Sequence, residues 1–376
     1  AQKAADVESR RAKLLSRFDE EWQYELRSDP ETTTSLGDNR YNDRLTDRSP
    51  KFYHSDEQTR RKFLVRFEAI DPAGLSTQDT LSRELMIRKL RQDIAAAHFK
   101  PWEMPVNQMD GPHLSLLELV TLTPFSSVKD YEDYLSRLHQ VPRMLEQVTA
   151  NMRQGMKDGL MPPRYLLEKV VPQTQEIANT EADASPFGKP VKIFPVGISA
   201  ADQERLRAAV LAAIHSEILP AYKRFAAFVG DEYAPHGRTE AGVWALPDGA
   251  ERYRFQVKLM TTTDLTPEEI HQIGLKQVAE TEAEMLALAR KLGFNDLASL
   301  NEHIKSDRKF YATSGEQVLD LYTRYTRQME KQLPKLFGRL PQNKLDVIPM
   351  DPFRAANAVP ANSSPGAADG PRPGDT

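Results

Sequence analysis

The chain contains no cysteine, which excludes disulfides, thiol nucleophiles and cysteine metal sites within it. It has no apolar run approaching the length of a membrane span and no secretory hydrophobic segment, so no membrane span is expected. Positive charge is not in excess either. Charged residues make up 28% of the 376 positions and the net charge is −4, and nucleic acid is not expected as a partner, since that calls for a basic domain. The phosphate-binding patterns Gly-x-x-x-x-Gly-Lys-Ser/Thr and Gly-x-Gly-x-x-Gly are missing, as is the Gly-x-Ser-x-Gly nucleophile elbow. So is His-Glu-x-x-His, because none of the eight histidines is followed by glutamate. The first residue is Ala1 rather than methionine, as in a mature or trimmed chain. Periplasmic or secreted placement is one expectation and the cytoplasm its alternative.

What is present is amphipathic helix. Leu14, Leu15, Phe18, Trp22 and Leu26 recur with charges between them, and the run ends at Ser28-Asp29-Pro30. A loop rich in turn formers follows over residues 30–44. Further helices are expected over residues 56–70, from Ser76 to about Phe99, and over residues 114–121 and 127–158, the last divided by Pro142. Residues 101–113 hold too many prolines and glycines for helix and should form an ordered loop or short strand. Residues 165–178 read as helix with a break at Pro172. Residues 186–195 read as a proline-bounded loop holding a short edge strand. Ser199 with Asp202 caps a helix carrying Leu206, Val210, Ile214 and Ile218, which Pro220 should bend, and Thr313 with Glu316 caps another.

Residues 242–292 are the most patterned stretch. Asp248-Gly249 separates two strand-like runs, and an Asp-Gly pair favours a type I′ hairpin turn. In the second run Tyr253, Phe255, Val257 and Leu259 alternate with Arg252, Arg254, Gln256 and Lys258, the pattern of a strand with one buried and one basic face. Thr266-Pro267-Glu268-Glu269 then supplies a capping box with proline at the first helical position. The stripe Ile270, Gly274, Val278, Thr281, Met285, Leu288 and Leu292 predicts a helix packed on a core. These elements define a mainly α fold: a multi-helix shell with a small antiparallel β-hairpin or sheet. The helical domain spans residues 1–340 with its hairpin near 242–260, and a Pro/Gly-rich extended segment covers 341–376.

Candidate chemistry is sparse. Glu268-x-x-His271 matches half of a carboxylate-bridged di-metal site, but no second copy exists, and Glu268 already suits the first turn of its helix. His236 and Glu240 lie among glycines that disfavour helix, so a surface loop is the simpler reading; His98 and His215 read as ordinary helix histidines. The basic residues Arg252, Arg254 and Lys258, with Tyr253 beside them, form the candidate substrate-binding set: an edge strand pairs with an extended peptide through its backbone while cations hold its carboxylate. The bland alternative is a solvated strand face.

Five stretches together carry a resemblance: Pro30-Glu-Thr-Thr-Thr-Ser-Leu-Gly-Asp-Asn-Arg-Tyr-Asn-Asp-Arg-Leu45, Asn107-Gln-Met-Asp-Gly-Pro-His113, Tyr134-Leu-Ser-Arg-Leu-His-Gln-Val-Pro142, Met152-Arg-Gln-Gly-Met-Lys-Asp-Gly-Leu-Met-Pro162 and Asp264-Leu-Thr-Pro-Glu-Glu-Ile-His-Gln-Ile-Gly274. They are similar to the bacterial domain-of-unknown-function 885 family, whose members resemble helical zinc metallopeptidases. The resemblance implies a helical shell around a deep cleft, and a zinc motif of the form His-Glu followed shortly by Gly-His-His, C-terminal to everything seen here. No zinc ligand or catalytic residue maps onto this chain, and zinc is expected only for the full-length protein. The expected partners are that missing C-terminal portion and a peptide. The chain then reads as the N-terminal portion of a peptidase-like protein, inactive alone, with a non-catalytic helical interaction protein as the alternative. Substrate length and side-chain preference are not encoded in any motif found.

Overall fold

A computed structural model describes residues 2–341, 345–350, 363, 366 and 374–375. The chain divides into two compact units, the first covering Ala1–Pro247 and the second beginning at Asp248.

The first unit is entirely helical apart from turns and one isolated bridge. Helix α1 (Gln2–Ser28) is followed by the short α2 (Pro30–Ser35), α3 (Pro50–Glu68) and α4 (Thr77–Ala97). Leu14 of α1, Phe63, Phe67 and Ile70 at the end of α3, and Ile87 and Leu90 of α4 form one buried cluster. Helix starts follow local chemistry: Asp29, Ser49 and Ser76 each accept a backbone N–H from the first turn, and Pro30 and Pro50 stand where a missing N–H costs nothing.

Next come α5 (Pro112–Leu122), α6 (Val128–Leu138), α7 (Val141–Lys157), α8 (Arg164–Asn179), α9 (Ala200–Ala213) and α10 (Leu219–Ala227). Pro142 lies in the first turn of α7 and separates it from α6, whereas α8 runs on through Pro172. A π turn at Ile214–Ile218 joins α9 to α10 and accommodates Pro220, whose ring has no N–H for the ladder. Helix α8 packs on α10. Tyr134 of α6 and Tyr222 of α10 are fully buried, donating to the carbonyls of Phe187 at 2.9 Å and His113 at 3.1 Å.

The second unit contains α11 (Gly249–Thr261), α12 (Pro267–Lys291), α13 (Leu297–Ser306), α14 (Gly315–Glu330) and α15 (Leu333–Leu336). Among the described residues the only strands are Leu345–Asp346 and Gly374–Asp375, paired in parallel. Most of the expected segment 341–376 lies outside the described residues.

Several expectations are corrected. The hairpin near residues 242–260 is helix: Val243–Ala245 is a single 3₁₀ turn, and the supposed second strand is α11. Asp248 does take the positive φ of +55° that its Asp-Gly signal predicts, but Gly249 enters a helix rather than a turn. A lone two-stranded hairpin has little intrinsic stability, and residues 250–260 are mostly adequate helix formers. Their alternation also satisfies helix, because Arg252, Phe255 and Leu259 share a face. With the hairpin goes the small antiparallel sheet. Residues 30–44 begin as α2 rather than loop, and Pro186–Val191 is 3₁₀ helix, not an edge strand.

Candidate functional site

The most elaborate polar construction in the first unit fixes residues 36–49, a segment with little aliphatic content. Arg137, fully buried on α6, donates from Nε to the carbonyl of Arg44 at 2.8 Å. Its Nη2 reaches Thr34 Oγ1 at 2.7 Å and the carbonyls of Pro30 at 3.1 Å and Tyr41 at 3.3 Å. Burial pushes the guanidinium pKa down, with Glu31, Asp43 and Asp133 acting in the opposite direction. Gln140 clamps the next stretch from both ends of its amide, donating to Asp43 O at 2.7 Å and accepting from Leu45 N at 3.1 Å. On α7, Gln147 accepts from Arg48 N at 3.0 Å and donates to Asp47 Oδ1 at 2.9 Å, while Asn151 donates to Arg48 O at 2.7 Å. Two of the five stretches that carry the family resemblance, residues 30–45 and 134–142, thus meet in one network.

Beside it, the guanidinium of Arg48 neighbours Tyr53, whose ring stacks on Trp102 with centroids 4.7 Å apart and planes at 11°. Burial opposes the charge on Arg48, yet Tyr53, Glu31 and Asp29 together leave its pKa raised. The three side chains are half-buried and offer a cation next to a flat aromatic surface.

Two more of those stretches serve close packing. Gly111 has φ of +142°, and a Cβ there would stand 2.9 Å from His113 Nδ1. His113 is fully buried and its Nε2 lies 3.5 Å from Gln173 Oε1. Burial lowers its pKa to about 4 despite that contact, so the ring is neutral at physiological pH. Gly155 lets α7 approach the turn at Pro101–Glu103, since a Cβ would come within 2.2 Å of the Glu103 carbonyl oxygen.

The residues singled out for substrate binding all lie on α11. Helical geometry redistributes them: Arg254 and Lys258, four apart, share an exposed face, while Arg252 points to another side and is partly buried. Tyr253 is half exposed. Lys258 Nζ lies 2.7 Å from Asp264 Oδ1, with both side chains open to solvent, a pairing worth little. Because residues 249–261 are helical, they offer no strand edge with which a peptide backbone could pair. The capping box of α12 forms as expected, with Thr266 N donating to Glu269 Oε2 at 2.7 Å. Glu268 accepts from Gln272 at 2.7 Å, and His271 is exposed, in keeping with structural roles.

Among the described residues no three His, Cys, Asp or Glu side chains converge so as to hold a metal ion. No described helix is long and apolar enough to cross a membrane.

The role of Arg137 depends on the tertiary structure. An arginine between Leu135 and Leu138 on a strongly amphipathic helix looks like a rim residue, and only the tertiary fold shows four acceptors around it. Gln140, Gln147 and Asn151 gave no signal beyond helical spacing.

The polar network is set in a helical fold, and a solved structure shares that fold. The family model described as "Bacterial protein of unknown function (DUF885)" matches residues 30–376, and the chain belongs to this family. A comparison with curated proteins found no match. Among solved structures, the fold is similar to that of a protein from Colwellia psychrerythraea provisionally described as a lipoprotein, with a TM-score of 0.86 at 18% identity. The match covers 98% of this chain and 66% of that one, so this chain spans just under two thirds of its structural relative.

Proposed function

We propose that this chain supplies peptide-binding surface to a metallopeptidase-like protein whose zinc ligands and catalytic groups are carried by sequence outside residues 1–376. The observation that carries the reading is the loop at residues 36–49. Four buried or half-buried side chains, Arg137, Gln140, Gln147 and Asn151, are committed to its backbone and to one of its side chains. A loop held in place by polar anchors rather than by an apolar core of its own is a fixed surface for presenting groups to a ligand. Separately, on the second unit, Arg254 and Lys258 of α11 are exposed cations suited to a peptide carboxylate. A periplasmic or secreted location accords with the structural relative's description as a lipoprotein.

Fluorescence anisotropy with unstructured peptides bearing a free C-terminal carboxylate tests this reading. Arg254→Ala combined with Lys258→Ala should weaken binding about fivefold, the effect of two exposed cations at roughly 0.5 kcal/mol each. The helical content should stay the same. Unchanged affinity and unchanged salt dependence would remove α11 from the binding surface.

A further inference from the structure

Two enclosed guanidiniums of the first unit are answered by acceptors: Arg60 pairs with Glu25, Asp56 and Asp93, and Arg137 serves four oxygens. Arg48 is half-buried and differs. Among the described residues no carboxylate stands at ion-pair distance from it, and its enclosed Nε donates no hydrogen bond. The acids whose charge reaches it, Glu31 and Asp29, are committed elsewhere. Glu31 takes the backbone N–H and the hydroxyl of Thr46, and Asp29 caps α2. Its other neighbour, Tyr53, has its pKa raised chiefly by burial, so the hydroxyl is neutral at physiological pH and brings no counter-charge. A half-buried cation without a counter-charge is costly, and an anionic ligand removes that cost.

One face of α7 fixes both this cation and a flat surface beside it. Gln147, Asn151 and Gly155 follow at spacings of four and share that face. Gln147 accepts the Arg48 N–H, Asn151 donates to the Arg48 carbonyl, and Gly155 admits the turn Pro101–Glu103 that carries Trp102. The chain enters that turn through Lys100 at φ of +48°, a left-handed conformation unfavourable for a residue with a side chain. The Lys100 ammonium pairs with Asp158 at the C-cap of α7. Trp102 is thereby held against Tyr53, and both rings are half-buried, so part of the stacked surface stays open. Three segments distant in sequence thus set a guanidinium without a counter-ion beside an aromatic platform.

We propose that Arg48, Tyr53 and Trp102 form a binding site for an aromatic carboxylate, the guanidinium taking the carboxylate and the stacked rings taking the aromatic group. A monoanion fits better than a phosphate dianion, because one guanidinium stands within the field of two acids, Glu31 and Asp29. This inference deepens the proposed function and rests on it for the source of the ligand, a peptide ending in an aromatic residue. The site itself requires only the acid and the ring.

Isothermal titration calorimetry of this chain with N-acetylphenylalanine and with its uncharged amide, N-acetylphenylalaninamide, tests the site. The acid should bind about tenfold more tightly than the amide, the effect of one charge-assisted hydrogen bond. Arg48→Met should erase that preference with the circular dichroism unchanged. Trp102→Leu should weaken the acid and the amide alike, by about fivefold, through loss of ring stacking. Should Arg48→Met fail to fold, Arg48→Lys decides: it keeps the charge without the planar fork and should lose roughly fivefold for the acid alone. The proposal is overturned if neither compound binds, if acid and amide bind alike, or if the preference survives intact in the folded Arg48 variant. Arg48-dependent binding of N-acetylphenylalanine, with peptides ending in phenylalanine failing to bind, would remove only the peptide-binding reading. Peptides that bind with an affinity indifferent to Arg48 and Trp102 would remove only this site.

Discussion

Helices α7 and α12 carry apolar stripes of the same period and meet opposite fates. On α7, Val141, Met144, Leu145, Val148 and Met152 are all buried, and the polar Asn151 and the small Gly155 are buried with them. On α12 the stripe is open and only Ala289 is covered. Periodicity therefore states that a face needs covering, not that the chain at hand covers it. The units as a whole differ in the same way. The first has a closed interior in which even Arg137 is enclosed, whereas Leu275, Tyr325, Met329 and Phe337 of the second are all more than half exposed. Variants in the first unit should therefore act on global stability, and those in the second should act locally or on assembly.

The largest effect is expected from Arg137→Ala. It removes the partner of four acceptors in a buried place and leaves a cavity, which together should cost about 3–5 kcal/mol. Arg137→Lys should recover little, since an ammonium cannot replace a planar fork that serves several carbonyls. Urea unfolding measures the loss, and hydrogen exchange should show residues 36–49 opening first. A midpoint shift equivalent to less than about 1 kcal/mol would mean that Gln140, Gln147 and Asn151 hold the loop unaided.

A second contrast lies within the first unit, where α1, α3 and α4 enclose charge beside their apolar cluster. Arg60 lies 2.8 Å from each of Glu25, Asp56 and Asp93, and Lys89 lies 2.7 Å from Glu25 and 3.6 Å from Glu21. Glu21 is almost fully buried and its Oε1 accepts no hydrogen bond. Burial, and then the neighbouring charge of Glu25 against the opposing pull of Lys89, raise its pKa to about 7. Burial also acts upward on Glu25, but hydrogen bonds and charge from Arg60 and Lys89 outweigh it and lower the pKa to about 2. The signs differ accordingly. A raised folded-state pKa means that the contribution of Glu21 is fully present below its unfolded value near 4.5 and is lost as pH rises to about 7. The contribution of Glu25 is present above that unfolded value and lost as pH falls towards 2. Glu21→Gln should therefore stabilise the protein at pH 8 by on the order of 3 kcal/mol relative to pH 4. Urea midpoints of the two proteins across pH 4–8 give the difference, and a gap that does not widen with pH would refute the assignment.

Much of the helical skeleton was legible because its signals are local. Ser76, Ser127, Ser199 and Thr266 cap helices where their side chains and spacings place them, and Pro142 divides α6 from α7. The failures have identifiable physical causes. Residues 250–260 satisfy both a two-residue and a 3.6-residue period, so the Asp-Gly pair tips the sequence pattern toward a hairpin, while among the described residues no strand pairs with them and they fold as helix. Asp29-Pro30-Glu31 is a helix start hidden in a stretch otherwise rich in turn formers. Arg137 and His113 were illegible because burial of a polar side chain depends on acceptors that arrive from distant parts of the chain. Of the residues expected to bind a peptide, Arg254 and Lys258 lie exposed on one face of a helix, which presents no strand edge for a peptide backbone.

The smallest effect tests the second unit by itself. Thr266→Ala removes both the side-chain acceptor for Glu269 N at 3.2 Å and the hydroxyl that donates to Glu269 Oε2 at 2.8 Å. Those bonds, with the Thr266 backbone N–H foremost, hold the Glu269 carboxyl below its ordinary pKa. Loss of such a cap costs about 1 kcal/mol. In a unit whose helices share little core, that cost should appear as faster hydrogen exchange in the first turns of α12, with no change in the unfolding midpoint of the first unit. If the global midpoint shifts by the full amount instead, the two units unfold as one, and the open stripe on α12 is less separable from the closed interior of the first unit than the burial pattern implies.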